Sequence, residues 1–292
     1  MAVGILGYGN LGASLYRLLC ESGERAVVFS NRIAKGEGDF YPTSALNTDN
    51  LPLDALLLAH GSAGNYREEL SFYVQKYHTV SAYDIHENLL TLKNEIEPIS
   101  KKHHTVSILG VGWDPGLLSV IRAWCKAIFP HTNPKTVWGE GVSEGHSFVL
   151  RQIEGVEEGI QYTVPTETGH KRVCYVVCDC AQQHRVEKEI LSHREYFTKE
   201  TTEIHFISRE DFLKTHKGNC YHRGSVRATS YDGTDTISFE VSMQRNPDFT
   251  ARIMIAYLNA IRRLAKEEKW GAYSPLDLSV SYLLSPNAYS LW

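Results

Sequence analysis

The sequence is poor in features that would tie it to a membrane, a nucleic acid or an extracellular setting. No apolar run approaches the roughly 20 residues a spanning helix needs; the longest, Leu53 to Ala59, is interrupted by Asp54. The N-terminus carries neither a basic n-region nor an apolar h-region, so no secretory signal is expected. Charge of one sign is also lacking. Thirty Lys and Arg against 34 Asp and Glu leave a net charge of −4, which gives no reason to expect nucleic acid or an anionic membrane as a partner. Internal repeats, low-complexity tracts and obvious flexible linkers are absent. The six cysteines lack metal-site spacing. Cys174, Cys178 and Cys180 read as neighbours on one face of a strand, with Cys174 and Cys180 about 20 Å apart, so buried reduced thiols explain them better than a metal does. What remains is a 292-residue chain with 42% apolar residues, expected to be cytoplasmic and to fill one large domain or two ordinary ones.

Against these absences stands Gly7-Tyr8-Gly9-Asn10-Leu11-Gly12, directly behind the apolar run Ala2 to Leu6. A G-x-G-x-x-G that closes a strand and opens a helix is a dinucleotide phosphate cradle. Gly7 serves the tight turn, Gly9 the approach of the pyrophosphate, and Gly12 the close packing of helix on strand. The helix N-terminus offers free N–H groups and a positive dipole end. Leu11, Leu15, Leu18 and Leu19 give the next segment a helical apolar face, which sets this pattern above a chance Gly-rich turn. The second strand, Ala26 to Phe29, ends in Ser30-Asn31-Arg32. The carboxylate that would take an NAD ribose hydroxyl is missing there, and an arginine suits a 2′-phosphate, so NADP is favoured. Arg32 as an ordinary loop arginine is the bland alternative.

The first hundred-odd residues alternate strand and helix. Leu56 to Leu58 precedes a helix from about Asn65 to Tyr77; Thr79 to Ser81 precedes one from about Glu87 to Lys102; Thr105 to Leu109 follows. The pattern predicts an α/β fold with a doubly wound, Rossmann-type parallel sheet, whose ligands gather beyond the strands' C-terminal ends. His60-Gly61-Ser62, Ala82-Tyr83-Asp84 and Gly112-Trp113-Asp114-Pro115 stand at those ends. Asp114 before Pro115 also reads as a helix N-cap with proline at the first helical position. From Leu117 on, strand-like runs dominate, predicting a mixed α+β domain over 117–272 after a dinucleotide-binding domain over 1–116, with the tail from about 273 to 292 returning to the first. Asn246-Pro247-Asp248 should cap a long helix with Phe249, Ile253, Ala256, Ala260 and Leu264 on one face.

Several motifs then occur in a recognisable order. They are Gly7 to Gly12, Gly112-Trp113-Asp114-Pro115-Gly116, Trp138-Gly139, Gly145-His146-Ser147, Gln161-Tyr162-Thr163, His170-Lys171-Arg172, Arg245 to Ala251, and Tyr282-Leu283-Leu284-Ser285-Pro286. From first strand to last residues the chain resembles the meso-diaminopimelate D-dehydrogenase family. The resemblance implies NADP-dependent, reversible oxidative deamination of the D-centre of meso-2,6-diaminopimelate to L-2-amino-6-oxopimelate, which cyclises to tetrahydrodipicolinate, and ammonia. It further implies a homodimer working in lysine and cell-wall precursor synthesis.

By the same resemblance, NADP contacts Gly7 to Gly12, Ser30 to Arg32, His60-Gly61-Ser62, Ala82 to Asp84 and Gly112 to Pro115. Asp84 and Asp114 stand near the amine and reacting centre as acid–base groups. Trp138 offers an indole wall and N–H donor. Arg172, Thr163 and His222 hold the distal carboxylate, with Arg172 as a bidentate clamp; Glu144, Gly145 and Asn246 complete the set, and no metal is expected. Each has a plainer rival: a salt bridge for Arg172, a surface position for His222, a helix cap for Asn246, core packing for Trp138.

The chain departs from the family pattern in a short link from Pro165 to His170, in Asn31 where a second arginine is usual, in Arg223 where glycine is usual, and in Phe148 where an acid is usual. The first loses a surface insertion, the second weakens NADP preference, and the last two touch the distal half of the substrate site. Two alternatives therefore accompany the main expectation: an NADP-dependent D-amino-acid dehydrogenase of broader specificity, and a non-catalytic NADPH-binding module.

Overall fold

The computed structural model describes residues 1–47, 51–62, 64–166, 169–194, 196–198 and 200–284. In chain order the elements are β1 (Ala2–Leu6), α1 (Asn10–Glu21), β2 (Ala26–Phe29), β3 (Phe40–Tyr41), β4 (Leu53–Leu58), α2 (Tyr66–Tyr73), β5 (Thr79–Ser81), α3 (Leu89–Lys102), β6 (Val106–Ile108) and α4 (Leu117–Ile128). They continue with β7 (Lys135–Val142), α5 (Glu144–Leu150), β8 (Val156–Thr166), β9 (Gly169–Cys178), α6 (Gln183–Ser192), β10 (Thr202–Phe206), α7 (Arg209–Thr215), β11 (His222–Thr229), β12 (Thr236–Met243), α8 (Asn246–Lys266) and β13 (Gly271–Tyr273). Two compact units result, Met1–Val120 with Pro247–Trp292, and Ile121–Asn246.

In the first unit the described strands form one parallel sheet in the order β13-β6-β5-β4-β1-β2-β3. The chain winds outward from β1 in one direction, then restarts at β4 and winds in the other. That puts the topological switch between β1 and β4, where ligands of such sheets bind. Strands buried on both faces explain why β1, β2 and most of β4 read as continuous apolar runs rather than alternating ones. On one side Val3, Ile5, Leu15, Leu19, Val28 and Leu57 join the buried face of α8; on the other Leu56, Leu58, Leu70, Leu92 and Ile96 pack together.

The second unit carries a sheet in the order β10-β9-β8-β7-β11-β12, antiparallel except for β10 beside β9. Val149 and Leu150 of α5 and Val186 and Ile190 of α6 pack with Cys174 and Val176 on one face. Phe212 of α7 packs with Val142, Ile160, Tyr162 and Val177 on the other.

Several expectations change. The helix expected inside the 117–272 domain, α8, packs in the first unit, burying Ala251, Met254, Leu258, Ile261 and Leu264. Phe249, Ile253 and Ala256, expected on its core face, are half-buried. Apolar residues ring most of Ala251 to Ile261, so periodicity alone could not choose the face. Asp114 and Pro115 do not stand at the N-cap and first helical positions: α4 begins at Leu117, whose N–H lies on the Gly112 carbonyl, 2.9 Å away. The helix read to Tyr77 ends at Tyr73 and passes into turns. β3 and β13, two and three residues long, are too short to leave a periodic signal. Cys174 is buried, but β9 stops at Cys178, and Cys180 is exposed in a short 3₁₀ turn rather than sharing the strand's inner face. Ser285 and Pro286, with the tail to Trp292, and residues 167–168 in the link from Pro165 to His170 lie outside the described residues.

Candidate functional site

The glycine turn after β1 has the geometry its sequence demands. Gly7 has φ +99°, which favours glycine, and its N–H donates to the Phe29 carbonyl at 2.8 Å. A Cβ at Gly12 would fall inside contact with the Gly7 carbonyl, so only glycine lets α1 lie this close to the turn. A Cβ at Gly9 would meet nothing within 4 Å. That open space faces the start of α1, where the helix's first N–H groups lack intrahelical acceptors. Across the switch point, Ala59 N–H donates to the Leu6 carbonyl at 2.9 Å, which sets the His60-Gly61-Ser62 turn beside Gly7.

Side-chain hydroxyls fix the other strand ends. Ser30 Oγ accepts from the Arg32 N–H at 3.3 Å, turning the chain after β2 and leaving Asn31 and Arg32 at the surface. Ser62 Oγ accepts from the Asp84 N–H at 3.0 Å, and Ser81 Oγ from the Tyr83 N–H at 3.2 Å. The Tyr66 hydroxyl lies 2.5 Å from Ser81 Oγ, and burial raises the Tyr66 phenol well above its usual value. His60 stacks on Tyr66 at 4.9 Å and its Nε2 lies 2.8 Å from Glu69 Oε2; that contact holds the Glu69 carboxyl below its usual range. Tyr8 packs edge-on against Phe40. Trp113 is buried beside the half-buried Asp114, in a loop tightened by the close approach of Gly116 to Gly112.

In the second unit, strand register gathers the expected substrate residues. Arg172 on β9 pairs with Thr163 on β8, Thr163 with Gly141 on β7, and Gly141 with His222 on β11. Residues directly opposite across a ladder share a face, so the side chains of Arg172, Thr163 and His222 stand in one row. A Cβ at Gly141 would collide with the His222 and Tyr221 backbone, which is why the row carries glycine there. A register shift between His222 and Gly224 pairs Gly224 with Trp138, changing the strand's phase. The Trp138 ring accordingly meets His170 on the Arg172 face, 5.2 Å between centroids.

The row is largely dehydrated. His222 is only 2% exposed, so it is no surface histidine; burial and then the nearby His170 push its pKa down to about 4, partly opposed by its contact with the Arg223 carbonyl. Burial also lowers the Arg172 guanidinium, with Glu200 offsetting part of the effect. Its Nη1 lies 2.7 Å from His146 Nε2. Glu144 and Gly145 open α5 behind Ser143, and Asn246, 7% exposed, donates its backbone N–H to the Cys220 carbonyl at 2.7 Å.

Two residues were missed as site candidates. His146 and Gln161 both lie within motifs that carried the resemblance, yet neither drew a role. Gln161 is fully buried on the Thr163 face with neither side-chain amide atom hydrogen-bonded. Two-residue alternation from Thr163 was the available signal. Among the described residues no cluster of three or more His, Cys, Asp or Glu is placed to hold a metal ion, and no helix is long and apolar enough to cross a membrane.

Known proteins share both the sequence pattern and the fold. The sequence model of the diaminopimelic acid dehydrogenase C-terminal domain matches residues 112–169 and 166–245. The chain is 33% identical to meso-diaminopimelate D-dehydrogenase of Corynebacterium glutamicum, over 97% of this chain and 95% of that one. Its fold matches the C. glutamicum diaminopimelate dehydrogenase solved in complex with diaminopimelate at TM-score 0.89 and 30% identity, covering 99% and 97% of the two chains. An engineered D-amino acid dehydrogenase bound to NADP+ matches at TM-score 0.93 and 29% identity, covering 100% and 98%.

Proposed function

The chain belongs to the meso-diaminopimelate D-dehydrogenase family, and from that premise we propose how its own residues divide the family's reaction. It is an NADP-dependent oxidoreductase acting on the D-centre of meso-2,6-diaminopimelate. The reaction releases ammonia and L-2-amino-6-oxopimelate, which closes to tetrahydrodipicolinate.

The first unit's residues fit the cofactor. Gly9 leaves the space a side chain would fill, α1 presents its N-terminus there, and the turn after β2 offers Ser30, Asn31 and Arg32 with no carboxylate to repel a 2′-phosphate. NADP, when bound, supplies the two-electron acceptor for the D-centre's α-hydrogen. Gly7 to Gly12, Ser30 to Arg32, His60 to Ser62, Ala82 to Asp84 and Gly112 to Pro115 would hold it. Asp84, its backbone pinned by Ser62, and Asp114 then receive the ammonium and accept protons as the imine forms and takes up water.

At the other end of the substrate, Arg172 clamps the distal carboxylate with Thr163 and His222. Trp138, Glu144, Gly145 and Asn246 shape the space around the carbon chain. The observation that carries this division is the register row Arg172–Thr163–Gly141–His222, which sets a cation and two hydrogen-bonding groups side by side on one sheet face. A substrate whose two ends differ only in handedness must be anchored at both to present a single α-hydrogen. The protein is further proposed to act as a cytoplasmic homodimer. Turnover of D-alanine and D-lysine beside meso-diaminopimelate tests the clamp: rates for the simple amino acids near zero support a strict enzyme, and rates equal to the meso compound's would reject two-ended anchoring in favour of the broader reading.

A further inference from the structure

His146 sits at a choice that chemistry allows it to make only one way at a time. Its Nε2 lies 2.7 Å from Arg172 Nη1 and 2.9 Å from the Tyr196 carbonyl oxygen. A guanidinium only donates and a carbonyl only accepts, so Nε2 serves the first as a lone pair and the second as an N–H. Its other nitrogen, Nδ1, lies 2.7 Å from Ser143 Oγ, a hydroxyl that can play either part. Ser143 is the N-cap of α5, yet its side chain makes no capping bond and reaches the imidazole instead. Burial first, and the neighbouring Arg172 charge second, hold His146 well below its usual pKa, so the ring is neutral and carries one proton.

We propose that His146 is a positioning residue for Arg172: in the free protein it holds the guanidinium on Nε2 with the proton on Nδ1, and it releases the guanidinium by moving the proton to Nε2 when a carboxylate arrives. In the held state Arg172 donates to Nε2 and Nδ1–H donates to Ser143. In the released state Nε2–H donates to the Tyr196 carbonyl and the Ser143 hydroxyl donates to Nδ1. Neither state leaves an imidazole nitrogen unpaired, so Arg172 can be given up without the penalty of an orphaned buried group. The inference rests on the reading of Arg172 as the carboxylate clamp.

Nitrogen-15 NMR of histidine-labelled full-length protein reads the tautomer directly, with the His146 signal identified by its loss in H146Q. The ligand-free R172M variant should show His146 protonated on Nε2 and the ligand-free native protein on Nδ1; the same tautomer in both overturns the proposal whatever the substrate is. Adding meso-diaminopimelate without cofactor should move the native ring to the Nε2–H form. Binding without that change overturns release, whereas no binding at all overturns the clamp reading and leaves R172M to decide the hold. Kinetics supply an independent arm. A glutamine side chain at this position could accept from Arg172 and donate to the Tyr196 carbonyl. H146Q should therefore keep KM for meso-diaminopimelate within about threefold of native, while H146F raises it about tenfold with kcat within about twofold. Equal increases in the two variants would overturn the proposal.

Discussion

Arg172 carries a guanidinium into a half-buried strand position, and burial lowers its pKa while Glu200 opposes the shift. A charge placed at that cost is expected to be used, and its loss should appear in the transition state as well as in binding, because remote binding energy orients the reacting centre. Replacing Arg172 with Met should lower kcat/KM for meso-diaminopimelate by about 100-fold, about 2.7 kcal/mol, while leaving the NADP dissociation constant within about twofold. An unchanged kcat/KM would remove the clamp. His222 gives a second residue-level test. Its folded pKa of about 4 lies below the ordinary 6.5, so the fold favours the neutral ring. That contribution to stability is complete above pH 6.5 and is lost as pH falls toward 4. Denaturant unfolding at pH 7 and pH 4.5 should show native protein losing about 2 to 3 kcal/mol more than H222N; equal losses would mean that His222 protonates freely in the fold. At this scale the family's motifs named Arg172, Thr163 and His222, which the strands bring into one row. His222 burial, the His146 partner of Arg172 and the orphaned amide of Gln161 were not legible in the sequence, because each depends on which strand or helix lies across from it.

The turn from β1 to α1 was legible in the sequence alone, since glycine spacing there is dictated by steric needs that leave few other solutions. Gly9 and Gly12 nevertheless separate two of those needs. A methyl at Gly9 has room in the protein alone, whereas one at Gly12 collides with the Gly7 carbonyl. Gly9→Ala should therefore unfold within about 2 °C of native yet bind NADP at least about tenfold more weakly. Gly12→Ala should lose both cofactor affinity and about 5 °C or more of melting temperature. Thermal melts with NADP titrations check the pair; equal melting losses in both would show that Gly9 serves the fold rather than a ligand. The loop from Gly112 to Gly116 was read less well. Proline after aspartate matched a helix-start pattern, but the helix waits until Leu117, so Asp114 belongs to the loop before it and is not the residue next to the helix. Likewise α8 was found by its length and its Asn-Pro-Asp start, while its buried face was placed only in part: Ala260 and Leu264 are buried, but Phe249, Ile253 and Ala256 are half-buried, because the helix is apolar on more than one side.

For the whole molecule, the alternation of strands and helices followed by strand-rich sequence was enough to give two units. The return of α8 to the first was not, since local sequence does not say which core a helix completes. A homodimer should appear in sedimentation equilibrium as twice the 33.0 kDa chain mass; a single-chain mass across micromolar concentrations would reject it. The proposed two-ended recognition is best probed by following NADPH absorbance with purified protein, NADP and, separately, the meso, L,L and D,D isomers of diaminopimelate. Rapid NADPH formation is expected with the meso isomer. None is expected with L,L, which lacks a D-centre, or with D,D, which lacks the L-configured end that the Arg172 row is proposed to anchor. Silence with all three isomers in protein that binds NADP, or equal rates with meso and D,D, would overturn two-ended recognition.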